Sequence, residues 1–206
     1  MVINKELLSS NAASLGVDLS EDMLDKFDLL ASLLIEQNKT MNLTAITQPN
    51  EVVVKHFADS LSLLSAVEVP QGAKVLDLGT GAGFPGLPLL IARPDIRLTM
   101  VDSTAKKLAY VASTLDKLSL SAETLHARAE EAGKDPAYRE QYDIVCSRAV
   151  AALNVLCEYC LPFVKVGGTF VAMKSAKAQE ELQLAEKTIS TLGGKTVGQK
   201  SFTLSD

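Results

Sequence analysis

The chain has 206 residues, of which 47% are hydrophobic and 22% charged, enough for one sizeable core and too few for two large domains. Its net charge of −5 excludes a protein coated in basic charge for indiscriminate nucleic-acid binding. An odd count of three cysteines and the lack of a signal-like N-terminal segment exclude a secreted disulfide scaffold, so we predict a cytoplasmic protein. The apolar stretches are too short for a membrane span, which needs roughly 20 residues.

Residues 1–66 are predicted to form a helical extension, because their apolar residues recur at helical spacing without strict alternation. Ser20 is expected to cap a helix that ends near Asn38. A second helix is predicted to begin at residues 47–50, where a proline suits the first turn, and to end near Leu64.

Residues 67–206 show a different pattern, in which short apolar runs alternate with helical stretches. The predicted strands are Lys74–Leu78, Arg97–Asp102, Ala122–His126, Tyr142–Ser147 and Thr169–Lys174. The predicted helices are Leu87–Ala92, Ala105–Lys117, Ala151–Leu161 and Ala176–Leu192. Gly167 and Gly168 are expected to form the turn before the fifth strand, and residues 195–204 to add one more strand after a helix end at Gly193 and Gly194. This alternation predicts an α/β domain with a parallel, doubly wound sheet.

The glycine-rich turn after the first predicted strand indicates a nucleotide-binding loop. Residues 81–86 fit the G-x-G-x-x-G pattern of nicotinamide dinucleotide sites. Asp77, Gly79 and Gly81 fit equally the Asp-x-Gly-x-Gly loop of S-adenosylmethionine (AdoMet) methyltransferases, where the acid can order the loop or bind the ligand's ammonium group. Asp102 ends the next strand and suits the ribose of either ligand. An oxidoreductase, a methyltransferase and a nucleotide-binding module without catalysis therefore remain open at this point.

Several motifs outside this loop accompany its full form, Asp77-Leu-Gly-Thr-Gly-Ala-Gly-Phe-Pro-Gly-Leu-Pro. They are Asn38-Lys39-x-x-Asn42-Leu43-Thr44, His56-x-x-Asp59-Ser60, Asp102-Ser103 followed by Lys106-Lys107, and Ser147-Arg148-Ala149. With these motifs the sequence closely resembles, over nearly its whole length, the RsmG (GidB) family of AdoMet-dependent methyltransferases, which modify guanine N7 in bacterial 16S ribosomal RNA.

The resemblance implies a Rossmann-like class I methyltransferase sheet behind the helical extension, with AdoMet as cofactor and 16S rRNA or the small ribosomal subunit as substrate. Carried over by motif, the residues that contact AdoMet are Gly79, Phe84, Ala129, Glu130 and Arg148. The family normally continues into a final strand with basic residues, so we expect the last hairpin of this chain to be truncated.

The residues expected to face the methyl group lie at the end of the fourth strand. Cys146 is the one candidate nucleophile for cytosine methylation, although it lacks the usual preceding proline. Guanine N7 carries a lone pair and no proton, so its methylation needs no base. We therefore assign no catalytic base or nucleophile. The pair Cys157 and Cys160 has no partner pair in the sequence and is read as core, so no metal is predicted.

Two residues of the expected site are positioning candidates with alternative interpretations. Arg148 can hold the cofactor carboxylate or the target base, or form a surface ion pair with an acid such as Glu130. Phe84 can stack on a base or simply pack in the core. The pair His56 and Asp59, at i and i+3 on the second helix, is expected to be structural.

RNA binding by an acidic protein requires a local basic patch. The predicted patch is a rim around the cleft that includes Arg148 and seven further residues. These are Lys39, Lys55, Lys106, Lys107, Arg128, Lys174 and Lys177. We expect a monomer, because no long exposed apolar stripe is predicted.

Overall fold

Helices form most of the first 66 residues in the computed structural model, which describes residues 3–148, 150–174 and 178–205. They are α1 (Lys5–Ser14), α2 (Glu21–Met41), α3 (Pro49–Val52), a π-helical segment (Val53–Ala58) and α4 (Asp59–Ala66). As predicted, Ser20 caps α2, and its Oγ accepts a hydrogen bond from the N–H of Met23 at 3.3 Å. The helix runs past the predicted end at Asn38 to Met41, where Asn42 closes it in the left-handed conformation (φ 49°).

The second predicted helix is present from Pro49 to Ala66 but contains the π-helical segment, which the apolar periodicity does not reveal. At the end of that segment the N–H of Asp59 donates to the carbonyls of Val54 and His56. In a regular α-helix it would donate to the carbonyl of Lys55. The π-helical segment therefore changes the hydrogen-bond pattern at the point where the helix passes Lys55.

The sheet of the described residues contains five parallel strands. They are β1 (Lys74–Leu78), β2 (Arg97–Asp102), β3 (Glu123–His126), β4 (Tyr142–Arg148) and β5 (Val164–Met173). Their spatial order is β3-β2-β1-β4-β5. The carboxyl ends of β1 and β4 therefore meet at the point where the strand order reverses, which is where ligands bind in open α/β sheets. The predicted α/β fold class is confirmed.

The helices that follow β1 lie close to their predicted positions. These are α5 (Gly86–Ala92), α6 (Ala105–Lys117), α8 (Leu153–Cys160) and α9 (Ala178–Thr191), and between α6 and α8 lies a short helix that was not predicted, α7 (Ala129–Ala132). The predicted start of the last helix, at Ala176, lies outside the described residues. The prediction of a turn at Gly167 and Gly168 is wrong, because both lie within β5 at an irregularity in its register with β4. A Cβ on Gly168 would lie 2.9 Å from the carbonyls of Tyr142 and Asp143, so only glycine fits this bulge.

The helical extension shares its core with the sheet. One cluster of buried side chains includes Leu34 and Phe57 from the extension together with Val75, Leu98 and Met100 from the strands. A second cluster packs against the opposite face of the sheet and includes Leu76, Val101 and Phe163 among others. Alternate residues of β1 thus point to opposite faces, as expected for a strand buried on both sides.

The predicted strand at residues 195–204 is absent, because the described residues after Gly194 contain no strand. This segment returns instead to the first helix. The amide of Asn11, a residue only 3% exposed, accepts from the N–H of Ser205 and donates to its carbonyl, both at 3.0 Å. A side chain thereby provides the hydrogen bonds that a neighbouring strand would otherwise supply.

Candidate active site

The loop after β1 is shaped by its glycines. Gly79, Gly81 and Gly83 have φ angles of 72°, 58° and 95°, which residues with a Cβ rarely adopt. The N–H groups of Gly79 and Thr80 donate to the carbonyl of Val101 at 2.8 and 3.0 Å, so the loop is tied to β2. The result is a stretch of backbone without large side chains at the switch point of the sheet.

Asp77 supports this loop from within the sheet. Its side chain has no exposed surface, and its Oδ2 accepts from the hydroxyl of Thr80 at 2.6 Å and the N–H of Gly86 at 2.9 Å. Its Oδ1 has no hydrogen-bond partner among the described residues. Burial raises the pKa of the carboxyl to about 6, although these two hydrogen bonds and the charge of Arg148 lower it. Of the two roles that the sequence leaves open for Asp77, ordering the loop and binding the ammonium group of the ligand, the geometry favours ordering the loop.

Asp102 connects the end of β2 to the same loop. Its Oδ2 accepts from the N–H of Gly81 at 2.9 Å, and its Oδ1 accepts from the N–H of Thr104 at 2.8 Å. Each carboxylate oxygen keeps a free lone pair for a further donor. The glycine-rich backbone and the Asp102 carboxylate together fit the ribose of AdoMet, while the buried Asp77 carboxyl supports the loop from within the sheet.

Ala129 and Glu130 begin α7 directly after β3. The N–H of Ala127 donates to the backbone carbonyl of Asp102 at 3.3 Å, which places the start of α7 beside the end of β2. Ala129 is half-buried and Glu130 is exposed. The structure thus brings the pair predicted after the third strand to the side of the sheet where Asp102 lies.

Arg148, the last residue of β4, reaches the helical extension rather than Glu130. Its Nη1 donates to Oδ2 of Asp59 at 2.9 Å and to the carbonyl of Lys55 at 3.2 Å. Its Nη2 lies 3.3 Å from Nδ1 of His56. The guanidinium carbon also lies 5.2 Å from the centre of the Phe84 ring, within cation–π range.

Phe84 and His56 stack on each other, with ring centres 4.7 Å apart and an angle of 11° between the ring planes. Both side chains are buried, and Phe84 also contacts Phe57 of the extension. We call Thr44, His56, Asp59, Phe84 and Arg148 the arginine cluster. It joins the glycine loop, the end of β4 and the extension in one set of contacts.

His56 is held neutral in this cluster. Burial and, to a smaller extent, the charge of Arg148 lower the pKa of the imidazole to about 4, although a hydrogen bond with the Lys55 backbone opposes both. Its Nε2 lies 2.8 Å from Oγ1 of Thr44, which also accepts from the N–H of Ile46. A neutral ring with the proton on Nε2 leaves Nδ1 as the acceptor for Arg148.

The predicted basic rim is only partly available for RNA. Lys39 and Lys55 are exposed, each paired with a helical acid at 2.5 Å, and pairs of this kind are weak in water. Lys106 is exposed and Lys107 half-buried on the first turn of α6, and Arg128 is exposed at the start of α7.

Lys174 has a different role, and Lys177 lies outside the described residues. The Lys174 side chain is only 10% exposed and lies 2.7 Å from Oε2 of Glu181. It also donates to the carbonyl of Ala151 at 2.5 Å, while Glu181 accepts from the N–H of Leu153 at 2.8 Å. An ammonium group held by these acceptors cannot reach a phosphate, so we leave Lys174 out of the RNA-binding rim.

The cysteines lie in the interior. Cys146 has no exposed surface, and burial raises the pKa of its thiol well above the ordinary value, so it is a poor nucleophile. Cys157 and Cys160 are buried against separate core clusters. In the described parts of the chain, no group of three or more His, Cys, Asp or Glu side chains could hold a metal ion. No helix there is long and apolar enough to span a membrane.

The sequence alone did not reveal the partners of Arg148. The spacing of His56 and Asp59 predicts a structural pair, and Thr44 stands out in the sequence only as part of a motif. Their spacing places His56 and Asp59 on one side of a helix, but Arg148 is about 90 residues further along the chain. Only the packing of the extension against the sheet brings the three together.

Comparison with known proteins agrees with the observed fold. Structures similar to this one include a SAM-dependent O-methyltransferase of Thermotoga maritima, with TM-score 0.54 and 19% identity over 77% of this chain and 55% of that chain. Another is a precorrin-6y C5,15-methyltransferase of Geobacter metallireducens, with TM-score 0.50 and 16% identity over 65% of this chain and 69% of that chain. These similarities show a class I methyltransferase fold.

Sequence relatives are much closer. A ribosomal RNA small subunit methyltransferase G from Pelotomaculum thermopropionicum is 48% identical over 95% of this chain and 82% of its own length. The protein of the same name from Desulfitobacterium hafniense is 47% identical over 92% of this chain and 79% of its own length. Residues 23–205 match the family model described as rRNA small subunit methyltransferase G. With a matching loop, fold and sequence over most of its length, the chain belongs to the rRNA small subunit methyltransferase G family.

Proposed function

We propose that AdoMet binds over residues 79–83, with its ribose at Asp102 and its adenine near Ala129 and Glu130. The observation that carries this proposal is the meeting of the positive-φ glycine loop with Asp102 at the carboxyl ends of neighbouring strands. Asp77 orders the loop from below. Arg148 and Phe84 then lie at the end of the site next to β4, where the methyl group is transferred.

As a member of its family, the protein is an AdoMet-dependent methyltransferase of 16S rRNA that forms 7-methylguanosine. Bound AdoMet supplies an electrophilic methyl carbon on its sulfonium. The guanine N7 lone pair forms the new bond to that carbon while the carbon–sulfur bond breaks, so no proton leaves the base. The site must therefore align two atoms rather than remove a proton, a task for positioning groups such as Phe84 and Arg148.

The absence of base chemistry agrees with the state of the nearby ionisable groups. Both ring nitrogens of His56 are engaged by Thr44 and Arg148, so neither is free to take a proton from a substrate. The Cys146 thiol is buried and protonated. This arrangement favours alignment of the guanine by fixed groups.

The RNA surface that we propose combines the cations of the predicted rim that are exposed or half-buried, namely Lys39, Lys55, Lys106, Lys107 and Arg128. Lysines that neutralise phosphates release counterions, so binding should weaken as salt rises. With a net charge of −5, the rest of the surface repels RNA and restricts it to this side. We propose that the protein acts as a monomer on ribosomal RNA in the cytoplasm.

Two measurements test the proposal. Calorimetry should show binding of S-adenosylhomocysteine and none of NAD, and the reverse result would assign the loop to a dinucleotide. After methylation, borohydride and aniline should cleave the RNA at one guanine, because the cationic N7-methylated ring is labile to reduction. Gain of one methyl group without scission would refute the N7 assignment.

A further inference from the structure

We infer that His56 and Asp59 of the helical extension are positioning residues that hold the Arg148 guanidinium over Phe84 for methyl transfer. This inference rests on the proposed function, because it assumes that Arg148 acts in the methyl-transfer site. It extends that function by assigning to the helical extension, which lies outside the sheet, the positioning of a side chain in the active site.

The first support is the direction of the Arg148 contacts. Among the described residues, all of its hydrogen-bond acceptors belong to one turn of the extension, namely the Lys55 carbonyl, Nδ1 of His56 and Oδ2 of Asp59. The strand that carries Arg148 therefore sets where its side chain begins, and the extension sets where its charged end lies. An arginine held by three acceptors loses most of its rotamer freedom.

The second support is the π-helical segment itself. The N–H of Asp59 donates to the carbonyls of Val54 and His56 rather than to that of Lys55, and the Lys55 carbonyl accepts from Arg148. A regular α-helix would occupy that carbonyl internally. Insertions of this kind recur at functional sites, and here the insertion lies in the turn that carries all three acceptors.

The third support is a chain of contacts that fixes the orientation of the His56 ring. The side chain of Asn38 accepts from the N–H of Thr44 at 2.8 Å and donates to its carbonyl at 2.9 Å. Thr44 in turn accepts from Nε2 of His56, and the ring lies flat on Phe84. With its Nε2 side and its face both occupied, the ring can present only Nδ1 to Arg148. A purely packing histidine would not need a defined tautomer.

A matched pair of variants tests the roles of Nδ1 and Nε2 of His56 separately. The side chain of His56→Asn ends near the position of Nδ1 and can still accept from Arg148. That of His56→Gln reaches the position of Nε2 and contacts Thr44 instead. We expect His56→Asn, which keeps an acceptor for Arg148 but loses the ring stacked on Phe84, to retain a higher kcat than His56→Gln. We expect His56→Gln to lower kcat by about 10- to 100-fold, the range for losing a hydrogen bond to a charged group.

A double-variant cycle tests whether His56 acts through Arg148. If it does, His56→Gln combined with Arg148→Ala should lower kcat no further than Arg148→Ala alone. Asp59→Ala should behave like His56→Gln. Its matched control is Asp95→Ala. This variant removes a carboxylate that lies 2.7 Å from Arg93 and is not part of the arginine cluster, so kcat should be unchanged. Thermal unfolding of each variant identifies any loss that comes from misfolding.

Equal rates for the Asn and Gln variants, or additive losses in the double variant, would overturn the inference. Nitrogen NMR of His56 provides a readout that does not depend on activity. It should show a proton on Nε2 and a hydrogen-bonded Nδ1 whose resonance shifts in Arg148→Ala, and an unchanged resonance would also overturn the inference. RNA scission after methylation by the wild-type enzyme tests the proposed function separately. A failure of the inference about His56 and Asp59 can therefore be distinguished from a failure of the proposed function.

Discussion

Asp77 and His56 should make opposite and nearly cancelling contributions to the pH dependence of stability. Asp77 has its pKa raised to about 6, above its ordinary 3.8, so the folded state binds this proton more tightly than the unfolded state does. Stability from Asp77 is therefore present at low pH and is lost as pH rises from about 4 to 6. His56 has its pKa lowered to about 4 from 6.5, so the unfolded state binds its proton more tightly. Stability from His56 therefore increases as pH rises through about 4 to 6.5.

The magnitudes follow from about two pKa units for each group, at 1.36 kcal/mol per unit, which gives about 2 to 3 kcal/mol between pH 4 and 6.5. In the wild type the two contributions should largely offset each other. Asp77→Asn should expose the His56 contribution, so that the free energy of unfolding rises by about 2 to 3 kcal/mol over this range relative to the wild-type profile. His56→Asn should expose the opposite trend.

Urea denaturation at several pH values between 4 and 6.5 measures these profiles, and the change with pH is the readout rather than the stability at any one pH. Asp77→Asn also weakens the hydrogen bonds from Thr80 and Gly86. This loss should lower the free energy of unfolding by a similar amount at every pH and change its pH dependence little. If both variants kept the wild-type pH profile, the buried states assigned to Asp77 and His56 would be refuted.

Three further predictions concern the loop, the RNA surface and the chemistry. Gly79→Ala should lower stability by about 1 to 2 kcal/mol and weaken S-adenosylhomocysteine binding in calorimetry, because its φ of 72° disfavours a Cβ. Reversing Lys106 and Lys107 to Glu should weaken RNA binding and flatten its salt dependence in filter-binding assays, whereas Lys174→Gln should lower the melting temperature and leave the salt slope unchanged. Cys146→Ser should retain most methyl transfer to RNA, and loss of activity in a folded variant would revive the cytosine mechanism.

The sheet could be predicted closely because each strand is a short apolar run bounded by turn residues. β1 and β2 begin and end at the predicted residues, as does α6. In these segments the local pattern and the tertiary environment agree, since parallel strands buried on both faces need continuous apolar runs. The start of β5 was placed too late because two successive glycines usually mark a turn. In this protein they permit a bulge against the carbonyls of Tyr142 and Asp143.

The geometry of the candidate site was predictable where it depends on the local backbone and less so where it depends on contacts between distant segments. The glycine loop and Asp102 could be identified from spacing, because a positive φ and a strand-end acid leave a local pattern. The ion pair of Lys174 with Glu181 could not, because a lysine after a strand looks the same in sequence whether it faces solvent or a helix. The contacts of Arg148 with His56 and Asp59 could not be predicted either, because they join segments about 90 residues apart.

The contact between Asn11 and Ser205 has a consequence for how the protein is made. The two residues are 194 positions apart, so the buried Oδ1 of Asn11 has its Ser205 donor only after the chain has been synthesised through residue 205. Until then the first helix carries an unsatisfied acceptor in a position that water leaves on folding, which costs about 1 to 3 kcal/mol. A nascent chain emerging from the ribosome would therefore finish docking its first helix last, in a protein whose own substrate is ribosomal RNA.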